Sequence, residues 1–367
     1  MRKIRVNLNK NSYDILICSD ELNKLGRCLK RLDIGRDAII VTNPGIKKLF
    51  GNKIERALIS SGFNVKFETV PEGEKAKSEK ECLRLLNNIS RFDAMRRVFI
   101  VALGGGVVGD LAGFTASVYK RGVPYVQVPT TLLAQVDSAI GGKTAIDLSA
   151  GKNLVGAFYQ PRLVFSDISF LKKLPQKELV SGLAEVIKYG ILGSSGLFRF
   201  VERDCAKILK RDKKCLLRVV YECSRIKADI VKKDEMDNKN TRVVLNLGHT
   251  IGHAIEAASN YRGAYNHGQA IALGILSSVY IAGKIGFLKE PDSRRIKNLI
   301  KNTGLPSKLK NVKLKNILSA LAHDKKFIHG KNRFVLPVKI GKVIVKEGVP
   351  ELLIKEAIQS LYESQKR

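Results

Sequence analysis

The 367-residue chain has no tryptophan, only three methionines and few acids: 34 Asp plus Glu stand against 65 Lys plus Arg, a formal net charge of +31. A shortage of acids admits nucleic acid or an anionic membrane as partners, and equally an enzyme for small anionic substrates. The charge balance alone does not choose. The missing tryptophan, the lack of an aromatic-interleaved basic strip and the lack of a recognisable binding module speak against nucleic acid. Long hydrophobic runs are missing too. The most apolar stretches, Val98–Gly109 and Ala270–Gly283, are short and glycine-interrupted, which excludes a bilayer span. The beginning, MRKIRVNLNK, alternates basic and apolar residues without an apolar core, so no signal peptide is expected. Repeats and low-complexity linkers are absent. The six cysteines form no C-x-x-C pair and are expected to be reduced thiols in a cytoplasmic protein.

What is present reads as a folded chain. Hydrophobic residues make up 44% and charged residues 27%, unlike a disordered polycation, and the length predicts two domains. In the first half, apolar runs at Ala38–Val41, Val65–Val70, Val98–Leu103 and Tyr125–Val128 alternate with helical stretches such as Ser78–Ser90. That alternation predicts a mostly parallel sheet covered on both faces, with ligands at the carboxyl ends of its strands. After Leu174-Pro175 the pattern turns helical: Gln176–Tyr189, Lys213–Lys233, His249–Ala258, His267–Ile285, Asp292–Asn302 and Val349–Ser364, with one hairpin-like stretch near Arg333–Val345. The expected organisation is an α/β nucleotide-binding domain over 1–174 and a mainly helical metal- and substrate-binding domain over 175–367, with a catalytic cleft between them.

Three patterns carry chemistry. Gly104-Gly-Gly-Val-Val-Gly109 satisfies G-x-G-x-x-G after a strand and before a helix, where glycines admit a pyrophosphate and the helix N-terminus favours its charge. A tight turn packing a helix on a sheet reads the same way. The acid that a dinucleotide fold places about 20 residues later for the ribose is missing. Asn43, Glu74, Lys77, Asp110, Thr130 and Thr131 stand at strand ends as candidate hydrogen-bonding groups. Next, Asn246-Leu-Gly-His-Thr-Ile-Gly-His253 puts two histidines on one helix face, and His267 follows in Tyr265-Asn-His-Gly268. Thr250 stands where a zinc protease has glutamate. Glu185 lies in the largely apolar helical stretch Gly182–Lys188 and needs a partner. A Glu with two His and an open position is catalytic-zinc chemistry. Hydrogen-bonded core histidines with a buried salt bridge are the alternative that spacing leaves open. Finally, cations beside glycines in Arg121-Gly, Gly141-Gly-Lys143 and Gly151-Lys-Asn153 suit phosphate or carboxylate, as do Lys188, Lys227 and Arg242 near the histidines. Most other lysines read as solvated surface.

These motifs together resemble the 3-dehydroquinate synthases. The resemblance rests on Leu103–Phe114, Gln127–Thr144, Gly151–Pro161, Gly182–Gly190 and Leu245–Glu256 in family order, with Pro71–Lys77 upstream and His323-Asp-Lys-Lys326 downstream, and it covers nearly the whole chain. It implies a carbon-oxygen lyase. The substrate would be 3-deoxy-D-arabino-heptulosonate 7-phosphate, converted to 3-dehydroquinate and phosphate on the way to aromatic amino acids. The implied steps are transient oxidation by NAD, β-elimination of phosphate, re-reduction and intramolecular aldol closure. The implied cofactors are NAD and a divalent metal, usually zinc and in some members cobalt. By motif, the metal ligands are Glu185, His249 and His267. The nucleotide falls to Asn43, Glu74, Lys77, Gly105, Gly106, Asp110, Thr130, Thr131 and Lys152. The substrate phosphate falls to Lys143, Asn153, Asn246, His253 and a lysine of Asp324-Lys-Lys326, with Lys325 as the candidate, and to Arg121 from the neighbouring subunit of a homodimer. Lys227 and Arg242 would hold the carboxylate, and Asp137 and Lys188 would lie by the ring hydroxyls. Two positions depart from the family pattern: Lys173 replaces the usual threonine before Leu174-Pro175, and Gln269 replaces the usual glutamate after His267-Gly268. The rivals are other sugar-phosphate cyclases and the iron-dependent or glycerol dehydrogenases of related architecture. A cyclase for substrates without a carboxylate would not need both Lys227 and Arg242. Neither nucleic acid nor a membrane is expected as a partner.

Overall fold

Apolar residues on both sides of a strand require cover on both faces of the sheet, and the first half of the chain is built this way. In the computed structural model the described residues are 1–93, 97–259, 265–322 and 332–362. Its early elements are β1 (Arg2–Val6), β2 (Tyr13–Cys18), α1 (Leu25–Lys30), β3 (Asp37–Thr42), α2 (Pro44–Ile59), β4 (Asn64–Thr69), α3 (Glu79–Phe92), β5 (Val98–Gly104) and α4 (Gly106–Val118). They are followed by β6 (Tyr125–Pro129), β7 (Lys143–Leu148), β8 (Gly151–Phe158) and β9 (Leu163–Asp167). Seven strands form one sheet in the order β1-β2-β9-β6-β5-β3-β4, parallel except for the antiparallel β1–β2 pair. Side chains alternate between faces with period two. Ala38, Ile40, Phe99 and Val101 join Leu25, Leu29, Ile54 and Leu58 of α1 and α2 on one side. Ile39, Val41, Ile100 and Ala102 join Leu85 and Ile89 of α3 and Leu111 and Ala112 of α4 on the other.

The expected strands at Ala38–Val41, Val65–Val70, Val98–Leu103 and Tyr125–Val128 are found as β3 to β6. Strand β1 has a different origin. Its exposed Arg2, Lys3 and Arg5 alternate with buried Ile4 and Val6, the pattern of a charged edge strand. The Gly-Gly-Lys and Gly-Lys-Asn motifs fold back on each other as the hairpin β7–β8, where Lys143 pairs with Phe158.

Later elements are α5 (Gln176–Gly193), α6 (Ser195–Leu209), α7 (Lys213–Lys233), α8 (His249–Ala258), α9 (His267–Lys284), α10 (Glu290–Asn302), α11 (Leu314–Ala322), β10 (Arg333–Lys339), β11 (Lys342–Glu347) and α12 (Glu351–Gln359). The chain divides into two compact units, Met1–Leu174 with Leu216–Met236, and Pro175–Cys215 with Asp237–Arg367. The second unit is therefore not the contiguous stretch 175–367 that the change of pattern suggests. Most of α7 belongs with the first unit: Ser224 Oγ donates to Gln135 O at 3.3 Å, Lys227 Nζ to Asp137 O at 2.8 Å, and Arg2 lies 5.1 Å from the Tyr221 ring centre. Helical periodicity reports that α7 has an apolar face and not which unit that face joins.

In the second unit α5 and α9 are buried almost all round, as central helices are. Helices α8 and α9 touch backbone to backbone. A Cβ on Gly274 would lie 1.9 Å from the carbonyl oxygen of Gly248, so only glycine fits there. Among the described residues no helix is long and apolar enough to cross a membrane, and all six cysteines are free thiols. Gly274→Ala is expected to force the two helices apart and cost about 3 kcal/mol. Urea unfolding should show a lowered midpoint; an unchanged midpoint would contradict this contact.

Candidate active site

An acid in the middle of an apolar helix loses its hydration and must be compensated there. Glu185 on α5 is fully buried, and Lys188, one turn later and 1% exposed, forms an ion pair with its Oε2. Two histidines approach the other oxygen. His249 is the first residue of α8, directly after Gly248 in the left-handed region (φ 79°). Its Nδ1 lies 3.1 Å from Leu247 O, which places the proton on Nδ1 and leaves Nε2 as a lone-pair donor. His267 is the first residue of α9. Asn266 and Gln269 form a capping box at this end, each side-chain oxygen accepting the other residue's backbone N–H at 3.0 Å. Gln269, the departure from the family's glutamate, thus makes the acceptor contact that a glutamate would make. The next residue, Gly268, donates its N–H to Ser181 Oγ at 3.1 Å and leaves no room for a Cβ, which would sit 2.0 Å from Ser181 O. That contact seats His267 against α5.

Nε2 of His267 and Nε2 of His249 face Glu185 Oε1 at 3.4 and 3.7 Å. One ligand atom from each of the three residues lies within 4.8 Å of the others. Glu185 Oε1 is buried and accepts no hydrogen bond of good geometry. One carboxylate oxygen and two imidazole nitrogens that converge at a buried position fit a divalent cation, which would displace the imidazole proton, and this nitrogen and oxygen donor set suits zinc or cobalt with an open position. Burial and the Lys188 charge hold His249 well below the usual imidazole range. Burial also disfavours charge on His267, but Glu185 and Glu256 outweigh it and raise this imidazole to about 10. His253, one turn after His249, is exposed, with its ring centre 5.2 Å from that of His249 and 6.2 Å from that of His267. Arg242 (buried) and Asn246 begin and end the short 3-10 turn that precedes α8. The Lys325 expectation lies outside the described residues.

The second group belongs to the first unit. Gly105 caps α4 without any side-chain hydrogen bond, so the first N–H groups of this helix are not occupied by a capping side chain. That is the arrangement an anion or pyrophosphate uses. Asp110, in the second turn of α4, accepts from Lys77 Nζ at 2.9 Å, and Lys77 also donates to Asn153 Oδ1. Burial lowers the Lys77 ammonium, but Asp110, Glu74 and Asp147 together outweigh it and the net shift is upward; burial raises the Asp110 carboxyl against the pull of Lys77. Asn153 adopts φ 56° and donates its N–H to Asp147 Oδ1 at 2.8 Å. The side chain expected at substrate phosphate is therefore held on the Lys77 group. Lys152 Nζ lies 3.5 Å from Glu74 Oε1, and burial lifts the Glu74 carboxyl above the usual range against Lys152 and Lys77. Glu74, Lys77, Asp147 and Ser149 line one cleft.

The remaining expected residues have surroundings of their own. Lys227 on α7 forms an ion pair with the Asp137 carboxylate. Asn43 caps α2, its Oδ1 accepting from Ile46 N–H at 2.8 Å. Thr130 Oγ1 is buried without a partner, and Thr131 Oγ1 accepts from Ala134 N–H at 3.2 Å. Gly106 opens α4. Lys143 is exposed on β7, with Nζ 5.9 Å from the Phe158 ring centre. Arg121 is exposed in a turn in which Lys120, Arg121 and Gly122 all have positive φ (48°, 63° and 126°). Lys173 is exposed. Sequence reasoning passed over Asp147, Ser181 and Glu256. Glu256 closes the histidine motif at helical spacing from His249 and His253, a signal that was available; Ser181 and Asp147 carry none.

Comparison with known proteins follows the same lines. A family model described as 3-dehydroquinate synthase N-terminal matches residues 67–181, and one described as 3-dehydroquinate synthase C-terminal matches residues 182–327. The 3-dehydroquinate synthase of Thermodesulfovibrio yellowstonii is 43% identical over 344 residues, covering 94% of this chain and 95% of that protein. The one from Pelobacter propionicus is 44% identical over 355 residues, covering 96% and 98%. A solved structure of 2-deoxy-scyllo-inosose synthase complexed with carbaglucose-6-phosphate, NAD+ and Co2+ matches with TM-score 0.88 and 26% identity, covering 98% of this chain and 100% of that one. With both family models matching in order over most of its length, the chain belongs to the 3-dehydroquinate synthase family.

Proposed function

We propose that this chain converts 3-deoxy-D-arabino-heptulosonate 7-phosphate to 3-dehydroquinate and phosphate, as a carbon-oxygen lyase with catalytic NAD and a divalent metal. The observation that carries the reading is the full-length similarity at 42–44% identity to curated 3-dehydroquinate synthases. The convergence of Glu185, His249 and His267 supports the metal, and the uncapped start of α4 beside Lys77 and Asp110 supports the nucleotide. The bound cofactors supply a reversible oxidation at one carbon and Lewis-acid polarisation of the substrate hydroxyls.

The chain's own residues bind, orient and neutralise. Arg242 and Lys227 would take the substrate carboxylate, and a guanidinium offers the bidentate fit that a carboxylate prefers. Lys143, Asn246, His253 and Lys325 would take the phosphate, joined by Arg121 of the neighbouring subunit if the family homodimer forms. Asn153 is assigned there by motif, and its hydrogen bond to Lys77 would link phosphate and nucleotide groups. Asp137 and Lys188 would lie by the ring hydroxyls. With C5 oxidised to a ketone, the proton on C6 becomes acidic. Its removal forms the C6–C7 double bond as the C7–oxygen bond to phosphate breaks. The departing phosphate can take that proton, so no separate protein base is required. Fixing both anionic ends then lets reduction, ring opening and aldol closure proceed in one site. We also infer a cytoplasmic location, in keeping with six free thiols.

Phosphate release from the heptulosonate phosphate is expected to require both NAD and metal, to stop with a chelator, and to leave no accumulated NADH. Release at full rate without NAD, or no 3-dehydroquinate with both cofactors present, would overturn the reading. His249→Ala is expected to lose at least nine-tenths of its bound metal after gel filtration and to retain a wild-type circular dichroism spectrum. Stoichiometric metal in that variant would remove His249 from the ligand set.

A further inference from the structure

The two imidazoles that face Glu185 both use Nε2, so each has Nδ1 on its far side. His249 Nδ1 is held by a neutral acceptor, the carbonyl of Leu247 at 3.1 Å. His267 Nδ1 meets a charged acceptor instead: Glu256 Oε2 stands 3.5 Å away. Glu256 is on α8, seven residues after His249 and three after His253, so the three side chains share one face of the helix. Its carboxylate is only 14% exposed. Helix α8 therefore brings His249 itself and also reaches across to grip the histidine of α9. The proposed reaction assigns no role to Glu256, and its carboxylate faces the Glu185 group across the His267 imidazole.

We propose that Glu256 is a positioning residue of the metal centre, accepting the Nδ1–H of His267 and so fixing the ring with its Nε2 lone pair towards Glu185. The inference rests on reading Glu185, His249 and His267 as the metal ligands. A carboxylate behind a metal-bound imidazole selects the tautomer, stops ring rotation and strengthens the nitrogen as a donor. The plain alternative is that Glu256 and His267 are an ordinary ion pair that braces α8 against α9. The two differ in what the acceptor does for a bound cation.

The test is metal affinity, measured with Zn2+ against a chromophoric chelator and with Co2+ by its visible absorption. Glu256→Ala is expected to weaken Zn2+ by 10–100-fold and to alter the Co2+ spectrum. Glu256→Gln, which keeps an acceptor without the charge, is expected to recover part of that loss. An alanine variant that binds Zn2+ like wild type overturns the inference while the ligand reading stands, as does a glutamine variant no better than alanine. A wild-type protein that binds neither metal overturns both. A measurement independent of variant folding is the 15N-detected tautomer of His267 in Zn2+-loaded wild type. The Nδ1–H form is expected, and an Nε2–H form refutes the proposal.

Discussion

The backbone contact between α8 and α9 is the constraint from which the metal group follows. Two helices ordinarily keep 8–10 Å between their axes because side chains intervene. Here Gly274 faces the carbonyl of Gly248 with no space for a methyl group, and Gly268 meets Ser181 of α5 in the same manner. His249 and His267 are the opening residues of their helices, so the distance between helix starts becomes the distance between ligands. A carboxylate and two imidazoles converge because backbones, which are stiffer than side chains, touch next to them.

Three lysines with side chains less than a tenth exposed are each matched with an acid, at positions that the motifs single out. Lys188 is paired with Glu185, Lys227 with Asp137, and Lys77 with Asp110. An unpaired charge at such depth would be strongly destabilising, whereas a pair is near neutral for stability. These pairs are therefore poorly explained as stabilising devices, and they accord with the proposed roles of these residues at an anionic, hydroxylated ligand. The large positive balance lies mainly elsewhere. Lys3, Lys120, Lys172 and Lys207 have side chains more than half exposed, where pairing with an acid contributes little.

Parts of this architecture were legible in the chain because they are short-range. Strands β3 to β6 appear as apolar runs because both faces of a central parallel sheet are buried. Helices α7 and α8 appear at their true limits because amphipathic spacing and a preceding left-handed glycine are local. The edge strand β1 was passed over because so short an alternation of basic and apolar residues becomes a strand only when β2 pairs with it. Hairpin β7–β8 was hidden in two motifs read for their cations. Gln269 was legible only as a departure from the family pattern, and the capping box shows that the backbone there needs an acceptor oxygen that an amide supplies as well as an acid.

The sequence by itself determined the inventory: which acid, which histidines, which glycine turn and which cations beside glycines, and hence the family and its reaction. Those are identities at fixed spacing, and spacing within one helix or one turn specifies geometry directly. Only the tertiary structure decided pairings across elements. It gave α7 to the first unit, tied Asn153 to Lys77 and placed Glu256 behind His267. None of these could be read from the chain, because each depends on where two separately folded elements come to rest, and that is set by packing over the whole core.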